Sequence, residues 1–268
     1  MSTRSIYGYT RKVVNRSGGV VLLPNVEDFA DLLYEVDVDP FAQSSTQQYP
    51  LGTLLIEGER AWRYCLNGGV ALVPGFTVQS AAIASAGHAM DMVTAAAVVG
   101  ALTVTVTPVT ANVTANQYKD GYLFVNDLVG EGQCFKIKSN PAITAAATGV
   151  ITLYDPVTLA LDATTLTGLR VNPFSGVIVT PVTTLTGIVL GTSQIPVTLS
   201  YYAWIQSAGP AAVHGIGTLV LGQNAVAPTG TTAGCVGPEG AAGVSQVVGK
   251  VMNVSVTTDK SLIYLTID

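Results

Sequence analysis

Few side chains in this sequence have the chemistry of a catalytic group, and those that do are far apart. The sequence contains only two histidines, His88 and His214. His214 follows an aromatic segment, and Ser200 or Ser207 could join it in a Ser-His-Asp arrangement. Neither serine stands in the Gly-x-Ser-x-Gly turn that exposes a hydrolase nucleophile. We therefore predict that His214 is a loop or interface residue, that there is no catalytic residue and that the protein is not an enzyme.

Oxygen-bearing side chains are concentrated in one glycine-rich stretch, where they could coordinate a calcium ion. They are Asn116, Asp120, Asn126, Asp127 and Glu131. Their order does not match an EF-hand loop, and side chains of this kind commonly cap the backbone of turns. The string Gly130-Glu131-Gly132 matches neither a Rossmann fingerprint nor a phosphate-binding loop. We predict turns here, with no metal ion and no cofactor.

The three cysteines, Cys65, Cys134 and Cys235, are far apart and odd in number. No two of them have the spacing of a metal-binding pair, and an odd count does not make a disulfide framework. The sequence predicts three buried or half-buried free thiols in a protein made in a reducing cytoplasm.

The composition is poor in charge, since only 11% of the residues are charged and 49% are hydrophobic. The net charge is −5, whereas a nucleic-acid-binding protein needs a basic face that displaces counterions. We therefore expect no nucleic-acid partner. A surface with so few charges favours association, which predicts a homo-oligomer or a larger assembly.

Alternating apolar and polar residues predict a mainly β fold. In Leu102–Thr107 the valines would lie on one face of a strand and the threonines on the other. The apolar segment Met92–Val106 contains Gly100 and runs into Pro108, which favours a connection and a strand over a membrane-spanning helix. We therefore expect no contact with a membrane.

The first 48 residues form the most highly charged part of the sequence and are predicted to be an N-terminal arm. Four basic residues lie near its start, and they are Arg4, Arg11, Lys12 and Arg16. These side chains could contact an acidic protein surface, and they are our candidates for partner-contact residues. We interpret residues 1–24 as an extended arm, with a frayed terminus as the alternative.

The clearest helical pattern in the sequence lies within the arm. Asn25 is a suitable N-cap, and an apolar stripe follows it, so a short helix is predicted over about residues 26–36. Residues 79–100 are rich in Ala and Ser with weak periodicity, and they could form either a loose helix or an irregular crossing.

The rest of the chain is predicted to form two β modules, residues 49–172 and residues 173–268. Gly, Pro and Thr turns separate short strands, a pattern typical of sandwiches or small barrels. Hairpins are expected across Glu57–Arg60 and across residues 257–261. In the second module the predicted strands are Val177–Val179, Ile188–Leu190, Val197–Gln206, Leu219–Leu221, Val244–Val256 and Leu262–Ile267.

Several strings of the sequence carry a resemblance to a known class of proteins. They are Tyr49–Thr53 with Arg60–Tyr64, Tyr118–Asp127 with Gly130–Gln133, Tyr202–Ala212, Val248–Val251 and Leu262–Ile267. The first three sets resemble strings in virion structural proteins of tailed bacteriophages. The last two resemble the closing hairpin of phage capsid decoration (cement) proteins. These motifs are structural, so no active-site residue carries over.

The resemblance implies a bacteriophage capsid decoration protein, assembled in the host cytoplasm and located on the outer surface of the viral head in the virion. Such a protein binds the major capsid protein without covalent bonds and stabilises contacts between capsid subunits. It is expected to be a homotrimer, and an arm that becomes ordered on binding could wrap a large surface. The alternative is a virion fibre or receptor-binding protein that recognises host surface glycans, because alternating strands and Gly/Thr turns serve that role equally.

Overall fold

Alternation of apolar and polar side chains extends over much of the chain, and the protein is mainly β, as predicted. The computed structural model describes residues 11–14, 20–23, 38–228, 230–240, 245–256 and 259–268. Within these ranges the chain forms nineteen strands and one short helix.

The strands are numbered in chain order. Up to residue 82 they are β1 (Arg11–Val14), β2 (Val20–Leu23), β3 (Gln43–Ser44), β4 (Leu54–Glu57), β5 (Arg60–Asn67) and β6 (Thr77–Gln79). Next come the helix α1 (Ala86–Ala89) and the strands β7 (Met92–Thr94), β8 (Thr103–Thr107), β9 (Tyr122–Asp127), β10 (Cys134–Ser139), β11 (Gly149–Leu153) and β12 (Leu166–Arg170). The last group is β13 (Ser175–Val179), β14 (Val189–Ser193), β15 (Tyr202–His214), β16 (Asn224–Ala227), β17 (Gly237–Pro238), β18 (Gln246–Asn253) and β19 (Lys260–Thr266).

The chain divides into two compact units that differ from the predicted modules. One unit, the split unit, comprises residues 1–82 and 173–268, and the other, the inserted barrel, comprises residues 83–172. Residues 49–82 therefore belong with the C-terminal part and not with residues 83–172. The reason is strand pairing across the insertion, because β5 pairs with β13 and β15, and β6 pairs with β13 and β14.

The inserted barrel is a closed sheet of six strands in the order β10-β11-β8-β7-β12-β9. Its interior is filled by one cluster of buried apolar side chains, among them Leu123, Ile137 and Ile151. The predicted Thr/Val alternation is confirmed in β8, where Val104 and Val106 are buried and the threonines face outward. Closing the sheet leaves no unpaired edge strand in this unit.

All neighbouring strands of the barrel pair in antiparallel fashion, and this determines which loops lie at each end of the barrel. The loops after β7, β9 and β11, residues 95–102, 128–133 and 154–165, must share one end because these three strands run in the same direction. The chain enters before β7 and leaves after β12, so both crossings occur at the opposite end. The three loops therefore form the end of the barrel that is distal to the insertion points.

Five strands of the split unit pair in a circuit, β5-β13-β6-β14-β15 and back to β5. The pairing of β5 with β13 is parallel, and the other four pairings are antiparallel. Every strand of the circuit contributes to one cluster of buried side chains, which includes Cys65, Val78, Val177, Leu190 and Ile205. This is a small-barrel arrangement, and its strands come from both sides of the insertion.

The long strand β15 also pairs with β19, and the sheet continues through β18 and β16 to β17. The predicted hairpins at Glu57–Arg60 and at the end of the chain are confirmed by the pairing of β4 with β5 and of β18 with β19. Two strand predictions were inaccurate. Residues 197–201 of the predicted strand Val197–Gln206 lie before β15 begins, and Leu219–Leu221 lie in no strand, although Leu219 is buried in the core beside β19.

The predictions for the N-terminal arm are tested only in part. The predicted helix at about 26–36 lies outside the described residues. The strands β1 and β2 pair with each other, and β2 pairs with β4, so these parts of the arm extend a sheet of the split unit. The short helix among the described residues is α1, within the stretch that the sequence left open, and the Ser85 hydroxyl caps it by accepting a hydrogen bond from Gly87 N.

Candidate functional site

The candidate partner-contact residues are only partly within the described structure. Arg11 and Lys12 lie in β1, which stands at one end of the strand order, whereas Arg4 and Arg16 lie outside the described residues. The backbone of β1 pairs with β2. The structure thus places two of the four basic residues on the outermost strand of a sheet.

The histidines and serines do not come together as a catalytic group. His214 is the last residue of β15 and not a loop residue, and its ring packs against Phe76 at 5.3 Å between centroids. Ser207 lies on the same strand seven residues earlier, about 23 Å away at the rise of an extended chain. Its hydroxyl donates a hydrogen bond to Asp268 Oδ2 at 2.6 Å. Ser200 lies at a turn with φ +63°.

His88 belongs to the inserted barrel, and only 1% of its surface is exposed. Its Nδ1 forms a hydrogen bond with the Tyr118 hydroxyl, while Nε2 is buried without a hydrogen-bond partner in the described structure. Burial lowers the pKa of His88 and raises that of Tyr118 to about 12. A neutral histidine beside a neutral phenol, both in the interior, acts as a packed core pair.

Turns form in the glycine-rich stretch, as predicted, although Asn126 and Asp127 are the last two residues of β9. Asp127 Oδ1 accepts a hydrogen bond from Leu128 N at 2.8 Å, and Asn126 Nδ2 donates to Asp91 Oδ1 at 2.7 Å. Asp120 Oδ1 accepts from the Tyr154 hydroxyl at 3.4 Å. Within the described ranges no group of three or more His, Cys, Asp or Glu side chains is arranged to hold a metal ion.

The three cysteines are free, and two of them are buried. Burial raises the pKa of Cys65 to about 12 and that of Cys235 to about 11, so both thiols are protonated and unreactive. Cys134 is exposed, which corrects the prediction that all three would be at least half-buried.

The described part of the chain contains no helix long and apolar enough to cross a membrane.

The feature with the clearest potential for binding is the distal end of the inserted barrel. Its three loops expose six large apolar side chains, here called the apolar end: Val98, Val99, Leu102, Leu128, Val129 and Leu159. Val98 is 74% exposed and Val99 is 62% exposed. Exposed apolar residues are common singly, but a group at one end of a domain is typical of a contact surface.

One buried side chain, Gln133, holds two of these loops together. Its Oε1 accepts hydrogen bonds from the backbone of Thr158 and Leu159, at 3.0 and 2.8 Å, and from the Thr158 hydroxyl at 2.9 Å. Its Nε2 donates to the carbonyls of Gly130 and Leu159 at 2.9 and 3.0 Å. Because both ends of the amide are used, the loop carrying Leu159 has a fixed position against the loop carrying Val129.

The third loop is held by backbone hydrogen bonds. Ala97 pairs with Leu161 in both directions, and Gly100 N donates to Val157 O at 2.8 Å. Leu161 and Val157 point inward and are buried in the barrel core. Because Val157 and Leu161 are buried in the core and the backbone of this loop is bonded to them, Val98, Val99 and Leu159 remain exposed to solvent.

The apolar end has acidic surroundings and contains no lysine or arginine. The loops 95–102, 128–133 and 154–165 contain Glu131, Asp155 and Asp162 as their charged residues. Hydrogen bonds from the Thr164 hydroxyl and backbone are the main cause of the lowered pKa of Asp162, which keeps this carboxylate ionised. The surface therefore suits a partner with an apolar patch and basic residues near it.

Leu128 combines an unusual backbone conformation with an exposed side chain. Its backbone has φ +66°, a conformation that leucine rarely adopts, and its side chain is half exposed. A residue such as Gly or Asn would relieve this strain.

Sequence reasoning missed the apolar end because its members come from three separate loops, although the uncharged run from Met92 to Val106 marked one of them.

Comparison with known proteins gives no family. No protein-family model matches this chain, no curated protein matches it, and no solved structure matches its fold.

Proposed function

We propose that this protein is a capsid decoration protein, which binds the outer surface of a bacteriophage head through the apolar end of its inserted barrel. The observation that carries the proposal is this group of six exposed apolar side chains on loops held in fixed positions. A rigid apolar surface loses little conformational entropy when it docks, so most of the area that it buries contributes to affinity.

The partner in this proposal is the major capsid protein of the same virus. Burying apolar side chains supplies non-directional affinity, and the acidic residues around them select a basic surface at the rim. The prediction of a homotrimer belongs to the same proposal, because three copies bound together are retained more strongly than one. Binding of this kind requires no chemical step.

The experiment uses empty heads assembled from the major capsid protein encoded in the same genome. Purified wild-type protein is mixed with these heads and its occupancy is measured after sedimentation. Val98→Asp and Val99→Asp together should reduce occupancy at least tenfold, because two carboxylates would have to be buried. Val70→Asp is the matched control, since Val70 is 69% exposed and lies in the split unit.

Two results would contradict the proposal. One is that the wild-type protein does not bind the heads at any concentration. The other is that the double variant binds as tightly as the wild type while its circular dichroism spectrum and melting temperature are unchanged. Analytical ultracentrifugation of the free protein tests the homotrimer separately.

A further inference from the structure

The two faces of the β5–β15 pair in the split unit differ in chemistry. On the side that faces the circuit interior lie Cys65, Ala203 and Ile205. On the other side, Tyr64 lies opposite Trp204 in the strand register. The aromatic side chains on this outer face are Trp62, Tyr64, Tyr202 and Trp204, joined by Tyr49 from the preceding segment.

The rings contact one another in a continuous group. Tyr64 stacks on Tyr202 with centroids 5.9 Å apart and an interplanar angle of 11°. Tyr64 also contacts Trp204 at 5.1 Å, and Tyr49 contacts both Tyr64 and Trp204, at 5.2 and 5.4 Å. Tyr64 and Trp204 are almost fully buried, whereas Tyr202 is only half-buried.

A short segment before β4 covers part of this face and leaves a cavity. The strand β3 in this segment pairs with β15 through Ser44 opposite Tyr202 and Gln43 opposite Ala203. The cavity has a volume of about 150 Å³. Its lining combines the rings of Tyr49, Tyr64, Tyr202 and Trp204 with Asp39, Ala42, Gln43, Ser44 and Gln48.

The polar side chains of the cavity keep hydrogen-bonding capacity. Asp39 Oδ1 accepts a hydrogen bond from Phe41 N at 2.8 Å, and a carboxylate can accept several more. Gln43 Oε1 accepts from Thr198 N at 2.8 Å, which fixes the amide and leaves its NH₂ group as a donor. The Tyr64 hydroxyl accepts from Gln48 N at 3.1 Å and retains its own proton. Burial raises the pKa of Tyr64 to about 12, so this proton is present at neutral pH.

We propose that this cavity, lined by Tyr202, Tyr64, Asp39 and Gln43, binds one ring of a neutral saccharide. A sugar ring has an apolar C–H face and an edge of hydroxyl groups, and the cavity offers the half-buried ring of Tyr202 for the first and the Asp39 carboxylate and the Gln43 amide for the second. The cavity lining contains an acidic side chain and no basic one, so an anionic sugar would be repelled. This inference is independent of capsid attachment, because it rests on residues of the split unit alone.

The test is a titration of the intact protein with methyl glycosides of glucose, galactose and mannose and with N-acetylglucosamine. Both tryptophans of the chain, Trp62 and Trp204, are among the aromatic side chains on this outer face, so intrinsic fluorescence reports occupation of the cavity. Saturable binding is expected for at least one neutral sugar, with a dissociation constant near millimolar. Sialic acid, which is anionic, should bind at least tenfold more weakly.

Three variants connect binding to the cavity. Tyr202→Ala should weaken the best sugar at least tenfold, and Asp39→Asn should weaken it severalfold without removing side-chain volume. Tyr264→Ala is the matched control, because Tyr264 is 39% exposed on β19 and does not line the cavity. It should bind as the wild type does.

The proposal is wrong if no neutral sugar shifts the fluorescence, or if Asp39→Asn, with unchanged melting temperature, binds the best sugar as tightly as the wild type. Asp39 is exposed and its replacement leaves the aromatic packing intact, so this variant decides the matter even if Tyr202→Ala fails to fold. Loss of sugar binding with normal capsid occupancy, or the reverse, separates this site from the proposed function.

Discussion

The inserted barrel and the split unit both enclose apolar cores between β-strands, but they present different surfaces. The barrel is built from one continuous stretch, residues 83–172, and its sheet closes on itself. The split unit is built from residues on both sides of that stretch, and its sheet ends in β1 and in β17. Both units expose aliphatic side chains, which the barrel carries on its distal loops, but the split unit also has an aromatic face with polar side chains beside it.

Under the two proposals, each unit recognises a different kind of partner. Aliphatic side chains on fixed loops bind a large complementary surface through apolar area. Aromatic rings beside amides and a carboxylate bind a small polar ligand with a defined orientation. The following predictions test how far the two units differ, from the largest expected effect to the smallest.

The largest effect is expected from opening a cavity in the closed barrel. Ile151 and Val150 are neighbours in β11, but Ile151 is fully buried and Val150 is 46% exposed. Ile151→Ala should lower the free energy of unfolding by about 2–5 kcal/mol, and Val150→Ala by less than about 1 kcal/mol. Urea titration followed by circular dichroism measures both. Equal losses would mean that the strand does not alternate between core and solvent.

A smaller effect is expected from removing the side chain that fixes the loops of the apolar end. Gln133→Leu leaves the backbone groups of Gly130, Thr158 and Leu159 without their amide partner. The expected loss is about 1–3 kcal/mol, measured by urea titration.

Gln117→Leu at the opposite end of the barrel is the control, because Gln117 accepts hydrogen bonds only from Thr114 among the described residues. The free energy of unfolding should fall less in Gln117→Leu than in Gln133→Leu. Hydrogen exchange should show faster opening of residues 128–133 in Gln133→Leu and not in the control. Unchanged exchange in Gln133→Leu would refute the role assigned to this amide.

Acid should destabilise the protein through its two histidines, which are buried or half-buried. Desolvation lowers the pKa of His88, and it lowers that of His214 together with the charge of Lys260. Above about pH 6.5 both histidines are neutral in the folded and the unfolded chain. Below that value the unfolded chain binds protons first, so stability falls until the lowered folded pKa is reached.

The comparison between the units is made with His88→Gln and His214→Gln. The difference in urea midpoint between about pH 7.5 and about pH 5.5 should shrink more in His88→Gln, since His88 is fully buried and His214 only half-buried. An acid dependence that neither substitution reduces would mean that other groups cause it.

The smallest effect is expected at a partly exposed ion pair of the split unit. Arg63 donates to both carboxylate oxygens of Asp268, at 2.8 and 3.0 Å. Burial acts to raise the pKa of Asp268, but hydrogen bonds from Arg63 and Ser207 and the Arg63 charge outweigh it, so the pKa is lowered. Arg63→Ala should cost about 0.5–1 kcal/mol at low salt and less at high salt, measured by urea titration. A loss that does not depend on salt would show that packing of Arg63 is responsible.

The sequence predicted those parts of the fold that depend on neighbouring residues. The alternation in Thr103–Thr107 and the hairpin at Glu57–Arg60 needed only local pattern and turn chemistry. The parallel pairing of β5 with β13 was not predictable in this way, because the two strands are separated by the whole inserted barrel. The boundary near residue 173 was noticed, but its partner near residue 82 lies in an Ala/Ser-rich stretch without a clear signal.

The full extent of β15 was missed for a different reason. Gly209 and Pro210 normally end a strand, so the sequence predicts a strand that ends at Gln206 and a loop or interface position for His214. In the structure the register shifts between Gln206 and Ala208, and Gly209 has φ +81°. A Cβ at this glycine would lie 2.4 Å from the carbonyl oxygen of Glu59. The irregularity is tolerated only because glycine fits there, which a single sequence does not reveal.

The candidate sites were less accessible to sequence reasoning than the fold. The apolar end requires three loops to meet, and the aromatic cavity requires the segment around Asp39–Gln48 to pack beside Tyr202. Tyrosines and glutamines at these positions are ordinary in a β protein, so their spacing alone carries no signal. Only the strand register brings them together.

The most direct test of the proposed function is a cryo-electron microscopy map of phage particles whose genome encodes this chain. Density for the chain is expected on the outer surface of the head at three-fold positions, with Val98, Val99 and Leu159 against the capsid shell. Density at the tail or in a spike at a vertex would contradict it, as would a head-bound protein whose apolar end faces solvent.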